Sequence, residues 1–187
     1  MTKLKRKQTR LKNYDYSRAG CYFVTMCTQN MHRLLGDIIN GKMVLSYGGL
    51  LAERILNQTV NEFNNLELNK YIIMPNHVHA IIIIKSQSNF VGANLVLACS
   101  NASIKPKNKA NTSFDPTVGN FVKSFKSKTT VEYIKAVKKG ALQPFEKRIW
   151  QRNYHDHIIR NQKDYQRILQ YIDTNVQKWQ LDRYYSE

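Results

Sequence analysis

The sequence predicts a single α+β domain, and three observations support this class. Residues 21–29 and 77–85 are short runs rich in β-branched and aromatic side chains, which is typical of strands. Over residues 161–179, apolar side chains recur at the spacing of an amphipathic helix. The 187 residues, 42 % of them hydrophobic, are enough for one domain with a buried core. The domain is therefore expected to span residues 1–187.

The strands are predicted from alternation and from turn signals. Residues 21–29 form the first strand. A hairpin over residues 34–45 follows, because Asn40-Gly41 is the strongest two-residue hairpin signal in the chain. A pair of strands over residues 71–85 is interrupted by Pro75-Asn76, which is a turn signal.

The helices are predicted from their caps. Ser46 can cap a first helix that runs to about residue 64, and a second helix starts near Pro116. Residues 148–160 are predicted to be extended. Asn161 then caps the last helix, with Asp164 three residues later as in a capping box.

The charge predicts a polyanionic partner. Lys and Arg number 29 against 13 Asp and Glu, a net charge of +16, which favours nucleic acid. A membrane is not expected, because no amphipathic helix carries the charge on one face. We expect residues 1–20 to form a basic arm and residues 86–115 to form a flexible insertion. The candidate DNA contacts in the arm and the second helix are Lys5, Arg6, Lys7, Arg10, Lys123, Lys126 and Lys128.

The cysteines predict a reducing compartment. Cys21, Cys27 and Cys99 form no CxxC pair, and their odd number argues against a disulfide framework. The basic N-terminus is not followed by an apolar signal-peptide core. We therefore expect a cytoplasmic protein.

The pair His77 and His79 is a candidate metal site. Side chains alternate across a strand, so the two imidazoles share one face and can reach the same point. The alternative is two half-buried histidines that form local hydrogen bonds. On the last helix, Tyr171 and Asn175 lie one turn apart on the margin of the apolar stripe. A tyrosine can form a covalent intermediate with phosphorus when a cation stabilises the phosphate oxygens.

Four segments, taken together, resemble the single-tyrosine HUH transposases, and among them the REP-associated tyrosine transposases. They are YFVTMCT, MPNHVHAI, WQRNYHDHIIRNQKDY and YIDTN, and they occur in the family's order. The resemblance covers most of residues 14–182. It implies an antiparallel sheet with helices packed on one side, in a ferredoxin-like arrangement.

The resemblance also implies an activity, which is cleavage and rejoining of single-stranded, hairpin-bearing DNA through a 5′-phosphotyrosine. Tyr171 matches the family nucleophile, while His77, His79 and Asn175 match the residues that bind Mg²⁺ or Mn²⁺. Many members have Asn-Pro where this chain has Asn175-Val176. The further candidate DNA contacts are Trp150, Arg152 and His157, of which Trp150 and His157 match positions with a structural or DNA-contacting role.

Alternatives to this interpretation remain open. Tyr154, near His155 and His157, is a rival nucleophile. The protein could instead be a catalytically silent DNA- or RNA-hairpin-binding relative of a transposase, or a metal-dependent nuclease that uses water. Members of the family include dimers with shared active sites and monomers, so both states stay open.

Overall fold

Six strands and three α-helices form the part of the chain that the computed structural model describes, residues 14–85 and 117–186. None of the helices within these ranges has the length and apolar character needed to cross a bilayer. Residues 1–13 and the predicted insertion at 86–115 lie outside the described residues. The elements are β1 Gly20–Cys27, β2 Gly36–Ile39, β3 Lys42–Leu45, α1 Tyr47–Val60, β4 Leu66–Met74, β5 His77–Ile84, α2 Val118–Lys138, β6 His155–Ile159 and α3 Gln162–Thr174.

The main sheet has four antiparallel strands in the order β4-β5-β1-β6. β5 lies between β4 and β1, and all eight of its residues are buried. Its first residue, His77, pairs with Cys27 at the end of β1 and with Met74 at the end of β4. Strands β2 and β3 form a separate two-stranded sheet. The predicted α+β class with an antiparallel sheet is confirmed.

The helices cover both faces of the sheet. α1 and α2 pack on the face that carries Val78, Ala80 and Ile82, where the larger hydrophobic core lies. α3 packs on the opposite face, here called the α3 face, and its Ile168 and Ile172 join a second core there. Helices α1 and α2 thus lie on one side of the sheet, as predicted, whereas α3 lies on the other side. Because side chains alternate along β5, the histidines lie on the α3 face.

The turns and caps follow the predicted signals. Asn40 and Gly41 have φ values of 52° and 71°, the two positive values that a type I′ hairpin turn requires. The side chain of Ser46 accepts a hydrogen bond from the backbone of Gly49 at 3.1 Å. The side chain of Asn161 caps α3 in the same way. These signals are local, which is why the sequence alone identifies them.

Several boundaries differ from the prediction. β4 begins at Leu66, before the predicted start at residue 71, and α1 ends at Val60, before the predicted end near residue 64. Of residues 148–160, only 155–159 form a strand, while Trp150 makes an isolated bridge to Thr28. The ammonium of Lys126 donates to the carbonyls of Gln151 and Asn153 at 2.9 and 2.8 Å, so these two carbonyls bond to a side chain and not to a neighbouring strand. α3 ends at Thr174, before the predicted end at residue 179.

Candidate active site

His77 and His79 stand at the start of β5, on the α3 face. Their side chains are buried, with exposed fractions of 0 % and 1 %. The two Nε2 atoms lie 3.0 Å apart. The tight turn at Pro75-Asn76 puts this pair at the end of the sheet. The shared face predicted from the spacing is confirmed.

Neighbouring polar groups orient the two imidazoles. The amide nitrogen of Asn76 donates to the backbone oxygens of Met31 and Tyr184, so its side-chain oxygen accepts from Nδ1 of His77 at 2.8 Å. This hydrogen bond leaves a lone pair on Nε2 of His77. Thr25 contacts Nδ1 of His79 at 2.8 Å and can hold that ring in either tautomer. Such partners fix the orientation of histidines that bind metals.

Burial keeps both histidines neutral near neutral pH. It lowers the pKa of His77 to about 4, an effect that the nearby Asp182 carboxylate opposes and the Arg183 guanidinium reinforces. The pKa of His79 is also well below its usual range, because of burial and the adjacent His77. Neutral imidazole is the form that coordinates a metal.

Tyr171 projects from α3 to the histidines. Its hydroxyl lies 3.1 Å from Nε2 of His79 and donates a hydrogen bond to Oδ2 of Asp182 at 2.8 Å. Burial and the Asp182 carboxylate raise the pKa of this phenol above its usual value. The hydroxyl therefore stays protonated unless a positive charge is brought to it.

Asn175 and Asp182 complete the cluster. Asn175 follows α3 directly and is 1 % exposed. Its amide nitrogen donates to Oδ2 of Asp182 at 2.8 Å, whereas its buried side-chain oxygen has no hydrogen-bond partner. The other carboxylate oxygen of Asp182 accepts from the backbone of Tyr184. Sequence reasoning missed Asp182, because it lies beyond the last helix in a segment with no motif or periodicity.

The donor set fits a divalent metal ion. One ligand atom each from His77, His79 and Asp182 lies within 4.8 Å of the others. Adjacent ligands of an octahedral ion with bonds of about 2.1 Å are separated by about 3.0 Å. The two imidazole nitrogens have this separation. The unpaired oxygen of Asn175 offers a further donor nearby.

A pocket of about 550 Å³ opens beside Tyr171 and extends over β6. Its wall carries His157, whose Nε2 forms a hydrogen bond with Oδ2 of Asp164 at 2.6 Å. The wall also carries the guanidinium groups of Arg167 and Arg183, so its charge suits an anion. The remaining lining residues are Phe23, Thr25, His79, His155, Asp156, Ile168 and Tyr184.

The other predicted DNA contacts occupy different environments. Lys123 and Arg152 are exposed, as a DNA contact requires, and Lys128 forms an ion pair with Glu62. The ammonium of Lys126 donates to two backbone carbonyls and so stabilises the fold. Burial lowers the pKa of this group to about 8. Trp150 is 4 % exposed and packs in the larger core. This position is consistent with a structural role and not with contact to DNA. The arm residues Lys5, Arg6, Lys7 and Arg10 lie outside the described residues.

Tyr154, the rival nucleophile, lies away from the histidines. It belongs to the larger core, on the face of the sheet opposite Tyr171, and is 8 % exposed. Its ring lies 5.9 Å from the ammonium of Lys126. The sheet itself separates this hydroxyl from the cluster of His77, His79 and Asp182.

Comparison with known proteins gives one close relative and a structural likeness. No protein-family model matches the chain. A solved structure of a REP-associated tyrosine transposase bound to a REP hairpin has the same fold, with a TM-score of 0.55 and 18 % identity over 91 % of this chain and 74 % of that chain. An uncharacterized protein of Haemophilus influenzae is 34 % identical over 180 residues, 96 % of this chain and 93 % of the relative. At that identity and coverage, the chain belongs to the same protein family as the Haemophilus influenzae protein.

Proposed function

We propose that the protein is a transposase-like enzyme that cleaves and rejoins single-stranded, hairpin-bearing DNA, with Tyr171 as the nucleophile. The observation that carries this proposal is the position of the Tyr171 hydroxyl, 3.1 Å from His79 and 2.8 Å from Asp182 at the wall of a pocket. A nucleophile, a proton acceptor and metal donors therefore meet at one point. The fold shared with a hairpin-bound tyrosine transposase supports the choice of substrate.

The proposed reaction exchanges one phosphodiester for another. The oxygen of Tyr171 attacks the scissile phosphorus, and its proton passes to Oδ2 of Asp182, the acceptor 2.8 Å away. The bond from phosphorus to the 3′ oxygen breaks, and that oxygen takes up a proton. A 5′-phosphotyrosine and a free 3′-hydroxyl result, so no ATP is required. Attack by the 3′-hydroxyl of another strand reverses the step and joins the ends.

We propose that Mg²⁺ or Mn²⁺ occupies the cluster, held by His77 and His79 with an oxygen of Asn175 or Asp182. The bound ion would supply positive charge to the phosphate oxygens and to the phenol. A mixed set of imidazole and carboxylate suits Mn²⁺ better than Mg²⁺, which prefers oxygen ligands alone. Comparing Asn175→Ala with Asp182→Asn for Mn²⁺ affinity distinguishes the two oxygen donors.

The proposed partner is DNA alone. The described residues of one chain supply Tyr171 and all the candidate metal ligands, so we propose that a monomer holds a complete site. Lys123 and Arg152 are exposed and can contact phosphates, and His157 lines the pocket. The cytoplasmic location stays a prediction from the sequence, although Cys21 is disulfide-bonded in the structure, which removes the support that the cysteines gave it.

The test is to trap the covalent intermediate. We expect the wild-type protein, incubated with Mn²⁺ and labelled single-stranded hairpins from the flanks of its gene, to form an adduct that survives denaturing electrophoresis. Tyr171→Phe removes one oxygen and keeps the ring, so the protein should fold and bind the hairpin but form no adduct. EDTA should abolish the adduct, and Mn²⁺ should restore it.

Tyr154→Phe is the matched control, because it makes the same chemical change on the other face of the sheet. We expect this variant to keep the adduct. An adduct located on Tyr154 by mass spectrometry, or a normal yield from Tyr171→Phe, would refute the assignment. Hairpin binding without an adduct would indicate a silent binding protein, and cleavage without an adduct would indicate a nuclease that uses water.

A further inference from the structure

We propose that Arg183 binds the scissile phosphate and is a catalytic residue of strand transfer, an inference that rests on the function proposed above. Arg183 follows Asp182, which accepts the hydrogen bond of the Tyr171 hydroxyl. Its side chain lines the pocket together with Tyr171 and His79. The guanidinium is therefore available where the phosphorus must lie for attack.

The guanidinium is placed by an aromatic ring. Its central carbon lies 4.5 Å from the centre of the Tyr184 ring, and its Nη2 donates to the Tyr184 hydroxyl. The same ring packs against His77, with 4.7 Å between the ring centres. One aromatic ring thus separates the arginine from the metal-binding histidine. This stacking uses one face of the planar group and leaves other N–H donors for a ligand.

Arg183 is exposed, but the residues on both sides of it are fixed. Asp182 accepts hydrogen bonds from Tyr171, Asn175 and the backbone of Tyr184. Tyr184 is 4 % exposed, and its carbonyl accepts from the amide of Asn76 at 2.8 Å. A side chain between two fixed neighbours loses less freedom when it binds a ligand.

Among the described residues, Arg183 forms no salt bridge with a carboxylate. None of the salt bridges within residues 14–85 and 117–186 involves this guanidinium. Arg167 lines the same pocket but is bound to Asp164 at 2.7 Å. Of these two arginines, Arg183 is the one that can offer its fork of donors to a phosphate without first breaking an ion pair.

The charge that develops on the phosphoryl group during attack also favours a further cation. Because the proton of Tyr171 passes to Asp182, this pair keeps a single negative charge, and the phosphodiester adds a second. Part of this charge develops on the phosphoryl oxygens in the transition state, and the guanidinium of Arg183 lies on the wall of the pocket that would receive them. Cations aimed at a transferring phosphoryl group are worth orders of magnitude in rate.

The test compares the rate of adduct formation in Arg183→Gln, Arg183→Lys and the wild-type protein at saturating hairpin DNA. We expect Arg183→Gln to lower the rate by roughly 10²–10³-fold, as removal of one charge-stabilising donor does. Hairpin affinity should change little, because lysines and arginines elsewhere supply it. Arg183→Lys should recover part of the rate. Arg160→Gln, which removes an equal charge at an exposed position, should leave the rate unchanged.

A second measurement follows binding without chemistry. Thymidine 5′-phosphate, added in the absence of metal, should shift the side-chain Nε–H signal of Arg183 in an NMR spectrum and should bind Arg183→Gln several-fold more weakly. If the wild-type protein forms no adduct, the proposed function fails, and this titration still decides whether Arg183 binds phosphate. A normal adduct rate in Arg183→Gln, an equal loss in Arg160→Gln, or unchanged thymidine 5′-phosphate affinity would overturn the inference.

Discussion

The affinity of the protein for Mn²⁺ is expected to be nearly independent of pH between about 5.5 and 7.5. This expectation depends on burial, which lowers the pKa of His77 to about 4 and that of His79 well below its usual range. A metal ion competes with protons only where its ligands are protonated. Between these pH values, the imidazole of His77 is already neutral in the folded protein, so no proton has to leave it, and the lowered pKa of His79 acts in the same direction.

The size of the effect follows from the ordinary behaviour of histidine. Two exposed imidazoles with pKa values of about 6.5 would each be about 90 % protonated at pH 5.5, so binding to both would weaken by about 100-fold. That loss corresponds to about 2.7 kcal/mol. With a pKa of about 4, the neutral fraction of His77 at pH 5.5 stays above about 95 %, and the corresponding loss is negligible.

The assay is titration with Mn²⁺ followed by electron paramagnetic resonance, which reports the free ion. His77→Ala should abolish high-affinity binding at both pH values. His32→Ala removes an exposed histidine outside the site and should bind Mn²⁺ as the wild-type protein does. A loss of affinity of tenfold or more between pH 7.5 and 5.5 would show that burial does not keep these histidines neutral.

Two further predictions concern DNA and stability. If the protein neutralises about six phosphates of a single strand, log K should fall with log salt at a slope near −4, measured by fluorescence anisotropy; a slope near zero would contradict the +16 charge as the source of affinity. Without metal, the free energy of unfolding should fall as the pH drops from about 6.5 towards 4, because His77 binds a proton in the unfolded protein but stays neutral in the folded protein. Chemical denaturation should show a loss that approaches about 3 kcal/mol. A loss of the same size in His77→Ala would exclude His77 as its source.

The elements that depend on local signals were predictable from the sequence. The type I′ turn at Asn40-Gly41 and the caps at Ser46 and Asn161 each involve residues within a few positions of one another. The alternation of β5 likewise placed His77 and His79 on one face, because the side-chain period of a strand is fixed. For the same reason, the proximity of the two imidazoles could be predicted without knowledge of the tertiary structure.

The parts that sequence reasoning missed depend on contacts between distant segments. Packing of Ile168 and Ile172 determines which face of the sheet α3 covers. The amphipathic pattern of a helix does not indicate which face that will be. Lys126 belongs to a lysine-rich helix that suggests a DNA-binding face, yet its ammonium serves two carbonyls some 25 residues later in the chain. The pattern of charges does not distinguish these two roles.

The segment after α3 links the fold to the chemistry. Asp182 reaches Tyr171 and Asn175, Tyr184 packs against His77, and the amide of Asn76 holds both the imidazole of His77 and the carbonyl of Tyr184. The residues around the candidate nucleophile therefore come from β1, β5, α3 and this segment, which converge only when the sheet is complete. Because the carboxylate that accepts the hydrogen bond of the Tyr171 hydroxyl lies in the same segment as Arg183, the proposed proton acceptor and the proposed phosphate-binding group are positioned together. A substitution that loosens the segment should then lower the rate of attack through both groups at once, whereas Asp182→Asn and Arg183→Gln each remove only one.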